Sequence, residues 1–273
     1  MRTVKLAGKD VPIIGQGTWY MGEDPHQRGR EVAALQHGID LGLTLIDSAE
    51  MYADGGAEEV VGQAIAGRRD QVFVVSKVYP HNASRNGIPA ACERSLTRLG
   101  TDFIDLYLLH WRGQYPLEET VEAFERLREA GKIGRWGVSN FDVDDLRELG
   151  SSDCAVNQVL YNPSQRGIEF DLLPWSQKRQ MPTMAYCPLA QAGRLLKHPT
   201  LIDIAERHGA TPAQVSLAWV TRQAGVIAIP KAVEPEHVRL NAAAASLNLS
   251  SEDLRAIDRA FPAPTRKQHL AMV

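Results

Sequence analysis

Short runs of apolar, β-favouring residues alternate with amphipathic stretches from one end of the chain to the other. The runs predict strands at residues 13–17, 44–47, 72–77, 105–110, 133–139, 155–158, 183–186 and 226–229, with one longer gap before the last. Val72-Phe73-Val74-Val75 is apolar at every position, which suits a strand buried on both faces, as in a parallel sheet. Between the runs lie helix signals. Leu117, Val121, Phe124 and Leu127 recur at helical spacing before Gly131, as do Ile88, Cys92, Leu96 and Leu99 before Gly100. Asp142 and Asp145 suit a capped first turn, and Thr211-Pro212-Ala213-Gln214 combines an N-cap, a first-position Pro and a reciprocal Gln. Ser250 can cap a last helix running to Phe261.

Strict alternation of β and α over this length leaves a doubly wound sheet or a (β/α)8 barrel. Eight units with no linker or break in composition favour the α/β (β/α)8 TIM barrel, as a single domain over residues 1–273. The first residues, 4–6 and 11–12 around Gly8-Lys9-Asp10, read as an N-terminal β-hairpin closing the bottom of the barrel.

Composition narrows the function. Lys and Arg number 30 against 33 Asp and Glu, a net charge of -3 that gives no general attraction to nucleic acid or to an anionic membrane. No run approaches the ~20 apolar residues of a membrane span, and because residues 1–10 carry charges with no apolar stretch behind them, no signal peptide is expected. Cys92, Cys154 and Cys187 are far apart and form no CxxC, so a reduced cytoplasmic chain is expected, with small cysteines in or near the core. Gly15-x-Gly17 runs on to Tyr20, so the GxGxxG dinucleotide fingerprint fails. P-loop, HExxH and GxSxG motifs are absent as well.

In a barrel, chemistry gathers at the C-terminal ends of the strands. Those positions hold Asp47, with Tyr52 just beyond, then Lys77, His110, Ser139, Asn140, Gln158, Tyr186 and Lys231. Singly, each has a structural explanation: a helix cap, a packed ring, a solvated charge, a hydrogen-bonded core imidazole. Together they would set an acid, a phenol, an ammonium and an imidazole around one mouth.

Here the sequence resembles the aldo-keto reductase family along nearly its whole length. The resemblance rests on Asp47-Ser48-Ala49-Glu50-Met51-Tyr52, Ser76-Lys77, Asp105-Leu106-Tyr107-Leu108-Leu109-His110-Trp111, Gly137-Val138-Ser139-Asn140-Phe141 and Ile229-Pro230-Lys231. It implies a barrel that takes NADPH without a Rossmann domain and reduces small carbonyl compounds, in keeping with the missing glycine fingerprint. A cofactor-binding regulatory subunit of the same fold is the alternative. A monomer with no metal, nucleic-acid or membrane partner is expected.

Carried over by position, the resemblance makes Asp47, Tyr52, Lys77 and His110 a catalytic tetrad, with Tyr52 as general acid. A phenol has a reference pKa near 10, and an ammonium about 4 Å away favours the phenolate by up to ~4 kcal/mol at an effective dielectric of 20. Lys77 is therefore expected to lower the Tyr52 pKa, with Asp47 holding Lys77 charged and His110 orienting the carbonyl. For the cofactor, the resemblance implies nicotinamide contacts from Ser139, Asn140, Gln158 and Tyr186. It implies further contacts from Pro188 and Leu189, a 2′-phosphate contact from Lys231 and an adenine contact from Asn241. Ala232 stands where a phosphate-binding Ser is common and His237 where many members carry Arg, which weakens the clamp and leaves NADH usable. Trp19, Tyr20, Met51, Trp111 and Trp175 are expected around the carbonyl. Residues 262–273 form a shorter tail than many relatives have, so an open pocket is expected.

Overall fold

The computed structural model describes residues 1–150 and 153–273. An antiparallel hairpin of β1 (Thr3–Leu6) and β2 (Lys9–Pro12) opens the chain. Eight strand and helix units follow: β3 (Gln16–Gly17) with α1 (Arg28–Asp40), β4 (Leu45–Asp47) with α2 (Gly56–Ile65), β5 (Phe73–Val78) with α3 (Gly87–Leu99), and β6 (Ile104–Leu109) with α4 (Leu117–Glu129). Then come β7 (Ile133–Ser139) with α5 (Val143–Leu149), β8 (Asn157–Leu160) with α6 (Leu172–Lys178), and β9 (Thr183–Tyr186) with α7 (Pro199–Arg207). An added helix, α8 (Pro212–Val220), precedes β10 (Val226–Ala228) and α9 (Pro235–Ala244), and α10 (Ser251–Ala260) ends the series. The long gap before the last strand is thus filled by two helices, α7 and α8.

Strands β3 to β10 pair in chain order, all parallel. The two edges meet: Gly15 N–H donates to the Ala228 carbonyl at 2.8 Å, and Ala228 N–H donates to the Ile13 carbonyl at 2.9 Å. This closes the TIM barrel and removes its free edges. Closure needs a close approach at Gly17, where a Cβ would lie 2.7 Å from the Ile229 carbonyl oxygen.

The core has two layers. Leu45, Phe73, Val75, Leu106, Leu108, Val156, Met184, Ile227 and Ile229 fill the barrel together with Leu6 and Val11 of the hairpin, which plugs the bottom. Lys9 of the hairpin donates to Asp105 Oδ1 at 2.7 Å and ties the plug to β6. Ile46, Val74, Tyr107, Val138 and Val159 face the helices instead. A strand alternates faces with period two. The residues two positions beyond Leu45, Val75, Leu108, Val156, Met184 and Ile229 are Asp47, Lys77, His110, Gln158, Tyr186 and Lys231. The register that fills the barrel with apolar side chains therefore delivers polar ones to its upper rim.

The helix ends follow local chemistry. Capping boxes form at Asp142/Asp145, Thr211/Gln214 and Ser250/Asp253, and α3 stops at Gly100 in the left-handed region, φ 61°.

Candidate active site

A cavity of about 590 Å³ opens at the C-terminal face of the barrel. Asp47 from β4 and the loop residue Tyr52 line it, and Lys77 from β5 is buried behind them. Lys77 is fully buried, and its Nζ donates to Asp47 Oδ2 at 2.8 Å, to the Ser48 carbonyl at 2.8 Å and to the Tyr52 hydroxyl at 3.1 Å. An ammonium has three hydrogens, so its donors are all engaged. The Tyr52 oxygen accepts from Lys77, and its own hydrogen is free to point into the cavity. Asp47 is equally occupied, because Gln158 Nε2 donates to its Oδ1 at 2.7 Å.

Tyr52 sits on a loop, and two left-handed residues follow it, Ala53 and Asp54, both at φ 50°. Tyr20, Asn140, Cys187, Gln191 and Ala192 are also left-handed, and all line the cavity. Such backbone costs of order 1–3 kcal/mol per non-glycine residue and collects where surroundings fix a site.

The electrostatics correct one expectation. Burial, then the charges of Asp47 and Cys187, push the Tyr52 phenol well above its usual value. Lys77 donates to the phenolic oxygen and favours the phenolate, but burial and the Asp47 charge outweigh it, so the net direction is upward. Burial also pushes the Asp47 carboxyl up and the Lys77 ammonium down, and their mutual attraction opposes both shifts. His110 is driven well below the usual imidazole value by burial and by the Lys77 charge, so its ring is neutral at physiological pH. Its Nδ1 is buried with no hydrogen-bond partner among the described residues. The ring stands edge-on to Tyr52, with centroids 5.8 Å apart.

The next strand ends build the neighbouring wall. Ser139 pairs in register with Gln158, and the Tyr186 hydroxyl donates to Asn140 Oδ1 at 2.8 Å, which fixes the Tyr186 ring on the cavity surface. Asn140 Nδ2 donates to the His110 carbonyl at 3.1 Å and so links this wall to β6. Pro188, Leu189 and Lys231 line the same cavity, whereas His237 and Asn241 lie on α9 outside it. At the other end Trp19 stacks on Tyr20 with ring centroids 4.5 Å apart, and Met51 and Trp111 complete an apolar wall.

One further expectation is corrected. Trp175 lies on α6, away from the cavity, and its ring packs under the Arg179 guanidinium at 3.9 Å. The short tail reaches the cavity. Lys267 Nζ donates to Asp171 Oδ2 at 2.8 Å and to Asp142 Oδ1 at 2.5 Å, and this clasp directs the tail so that Met272 and Val273 line the cavity. Cys92 and Cys154 are buried as expected, but Cys187 is half-buried on the cavity wall. Sequence reasoning also missed the tie from Gln158 to Asp47. The position of Cys187, directly after Tyr186 at the end of β9, was the available signal for its place here.

The site fits a nicotinamide nucleotide: a half-buried aromatic wall, amide and hydroxyl groups at adjoining strand ends, and an exposed cation at the far margin. Among the described residues no cluster of His, Cys, Asp and Glu could hold a metal ion, and no helix is long and apolar enough to cross a membrane.

Comparison with known proteins agrees with this geometry. The family model described as "Aldo/keto reductase family" matches residues 13–261. The chain is 59% identical over 271 residues to the methylglyoxal reductase YeaE of Escherichia coli, covering 96% of this chain and 95% of that protein. It is 36% identical to the glyoxal reductase of Bacillus subtilis, covering 94% and 91% of the two chains. An aldo/keto reductase from Klebsiella pneumoniae, solved in complex with NADP and acetate, superposes with a TM-score of 0.98 at 58% identity, covering 100% of this chain and 99% of that one. Fold and relatives agree, and the chain belongs to the aldo/keto reductase family.

Proposed function

We propose that the protein is an NADPH-dependent reductase of small reactive aldehydes and ketones, with Tyr52 as the general acid. The observation that carries this reading is the chain of contacts from Asp47 through Lys77 to the Tyr52 hydroxyl, beside a neutral His110, in a cavity at the barrel mouth. The complexes of relatives with NADP or NADPH support the cofactor, and the names of the methylglyoxal and glyoxal reductases support small dicarbonyl substrates.

When bound, the reduced nicotinamide supplies a hydride to the carbonyl carbon. The residues of the chain handle the oxygen. Its developing negative charge calls for a proton, and an alkoxide is more basic than an ordinary phenolate, so Tyr52 can supply it. The raised value keeps the proton on Tyr52 until that charge appears. Lys77, donating to the same phenolic oxygen, stabilises the phenolate left behind. A neutral His110 can donate one hydrogen bond to the carbonyl and orient it. Ser139, Asn140 and Gln158 are assigned to the carboxamide edge of the nicotinamide, Tyr186 to its ring face, and Lys231 to the adenosine 2′-phosphate. Trp19, Tyr20, Met51 and Trp111 exclude water from the reacting carbon.

Tyr52→Phe tests this reading, because it removes the donated hydrogen and keeps the ring. Turnover of methylglyoxal with NADPH should fall by at least about 100-fold, the usual scale for losing a general acid, while NADPH affinity stays within about twofold. Undiminished turnover would remove Tyr52 from the mechanism.

A further inference from the structure

We propose that Arg30, in the first turn of α1, is a second cation for the adenosine 2′-phosphate, and that Glu234 is its exchangeable counter-ion. The pair would then set how strongly NADPH is preferred over NADH. This inference rests on the proposed nicotinamide function and concerns residues outside the tetrad.

Beyond β10 the chain passes Lys231, which lines the end of the cavity and whose ammonium has no hydrogen-bond or ion-pair partner among the described residues. Three residues later Glu234 occupies the N-cap position of α9 without capping it. Its carboxylate instead reaches across to the Arg30 guanidinium and ties α1 to α9. The two side chains are 52% and 51% exposed.

Three residues of extended chain span at most about 10 Å, close to one Debye length at physiological salt. The two backbones are therefore no more than about 10 Å apart, so Glu234 contributes repulsion to the field that a phosphate on Lys231 would meet. The other acid on this turn, Glu236, is paired with Arg239 at 2.6 Å, which leaves Glu234 and Arg30 to decide the local balance. His237 offers an imidazole rather than a guanidinium fork.

A half-exposed ion pair is weak, whereas a phosphate monoester carries about -1.5 to -2 charges and accepts two parallel bonds from a guanidinium. Arg30 can therefore exchange the carboxylate for the phosphate at little cost. Without a 2′-phosphate, Glu234 is free to accept from a ribose hydroxyl, the use to which dinucleotide sites put an acidic residue.

The test is fluorescence titration of the whole protein with NADPH and NADH, with 2′,5′-ADP as competitor, for the wild type, Arg30→Ala and Glu234→Gln. Arg30→Ala should weaken NADPH and 2′,5′-ADP by about tenfold, the scale of one charge-assisted pair, and leave NADH within about twofold. Glu234→Gln should tighten NADPH and weaken NADH. It leaves Arg30 in place, so it decides the matter even if Arg30→Ala folds poorly. Equal effects on both nucleotides, or NADPH binding unmoved by either change, would overturn the assignment of Arg30. A wild type that binds neither nucleotide would overturn the nicotinamide reading itself.

Discussion

Lys77 commits its ammonium hydrogens to Asp47, Ser48 and Tyr52, and that arrangement sets the pH response expected of the site. In the mechanism proposed above, carbonyl reduction needs a proton on Tyr52 and a charge on Lys77. Burial holds Lys77 below its ordinary 10.5, so reduction should decline as pH rises through that lowered value. The Asp47 charge pulls Lys77 upward, so Asp47→Asn should move the alkaline limb of kcat/KM to lower pH, read from a pH-rate profile. On the acid side His110 titrates well below 6.5, so no loss is expected near that pH. Asp47, Lys77 and His110 were legible as polar residues one alternation beyond apolar interior positions. Tyr52, on a loop without periodicity, was legible only through the motif around it. The direction of its pKa was not legible, because it depends on burial and on how far Asp47 offsets Lys77.

At the scale of elements, the capped helices were the most readable features, since a cap and its reciprocal residue lie three positions apart. Thr211 accepts from the Gln214 N–H at the start of α8. Thr211→Ala should cost about 1 kcal/mol, seen as a Tm lower by roughly 2–4 °C, with kcat unchanged because α8 contributes nothing to the cavity lining. The tail carried no such signal. Its course is set by Lys267 meeting Asp142 and Asp171, which are 125 and 96 residues away along the chain. Trp175 misled for a related reason: aromatic character marks a residue that packs, and only the placement of α6 shows against what.

For the whole molecule, the seam where β3 meets the chain around β10 is a close constraint on closure. Gly17→Ala would place a methyl 2.7 Å from the Ile229 carbonyl oxygen, with little freedom to relax because Gly17 N–H also donates to the Pro230 carbonyl at 3.0 Å. Overpacking of this kind costs about 1–3 kcal/mol. Thermal melting should show the loss, and a raised KM should accompany it, because Trp19 and Lys231 flank the seam. The sequence by itself determined the alternation of strands and helices, the barrel, the strand faces and the polar rim, since all of these rest on periodicities within a few residues. Only the tertiary structure decided that Gln158 braces Asp47, that the tail lines the pocket, that burial raises the Tyr52 pKa and that Arg30 pairs with Glu234. Those facts join residues far apart in the chain, and the distances and burial that govern them exist only once the barrel has closed.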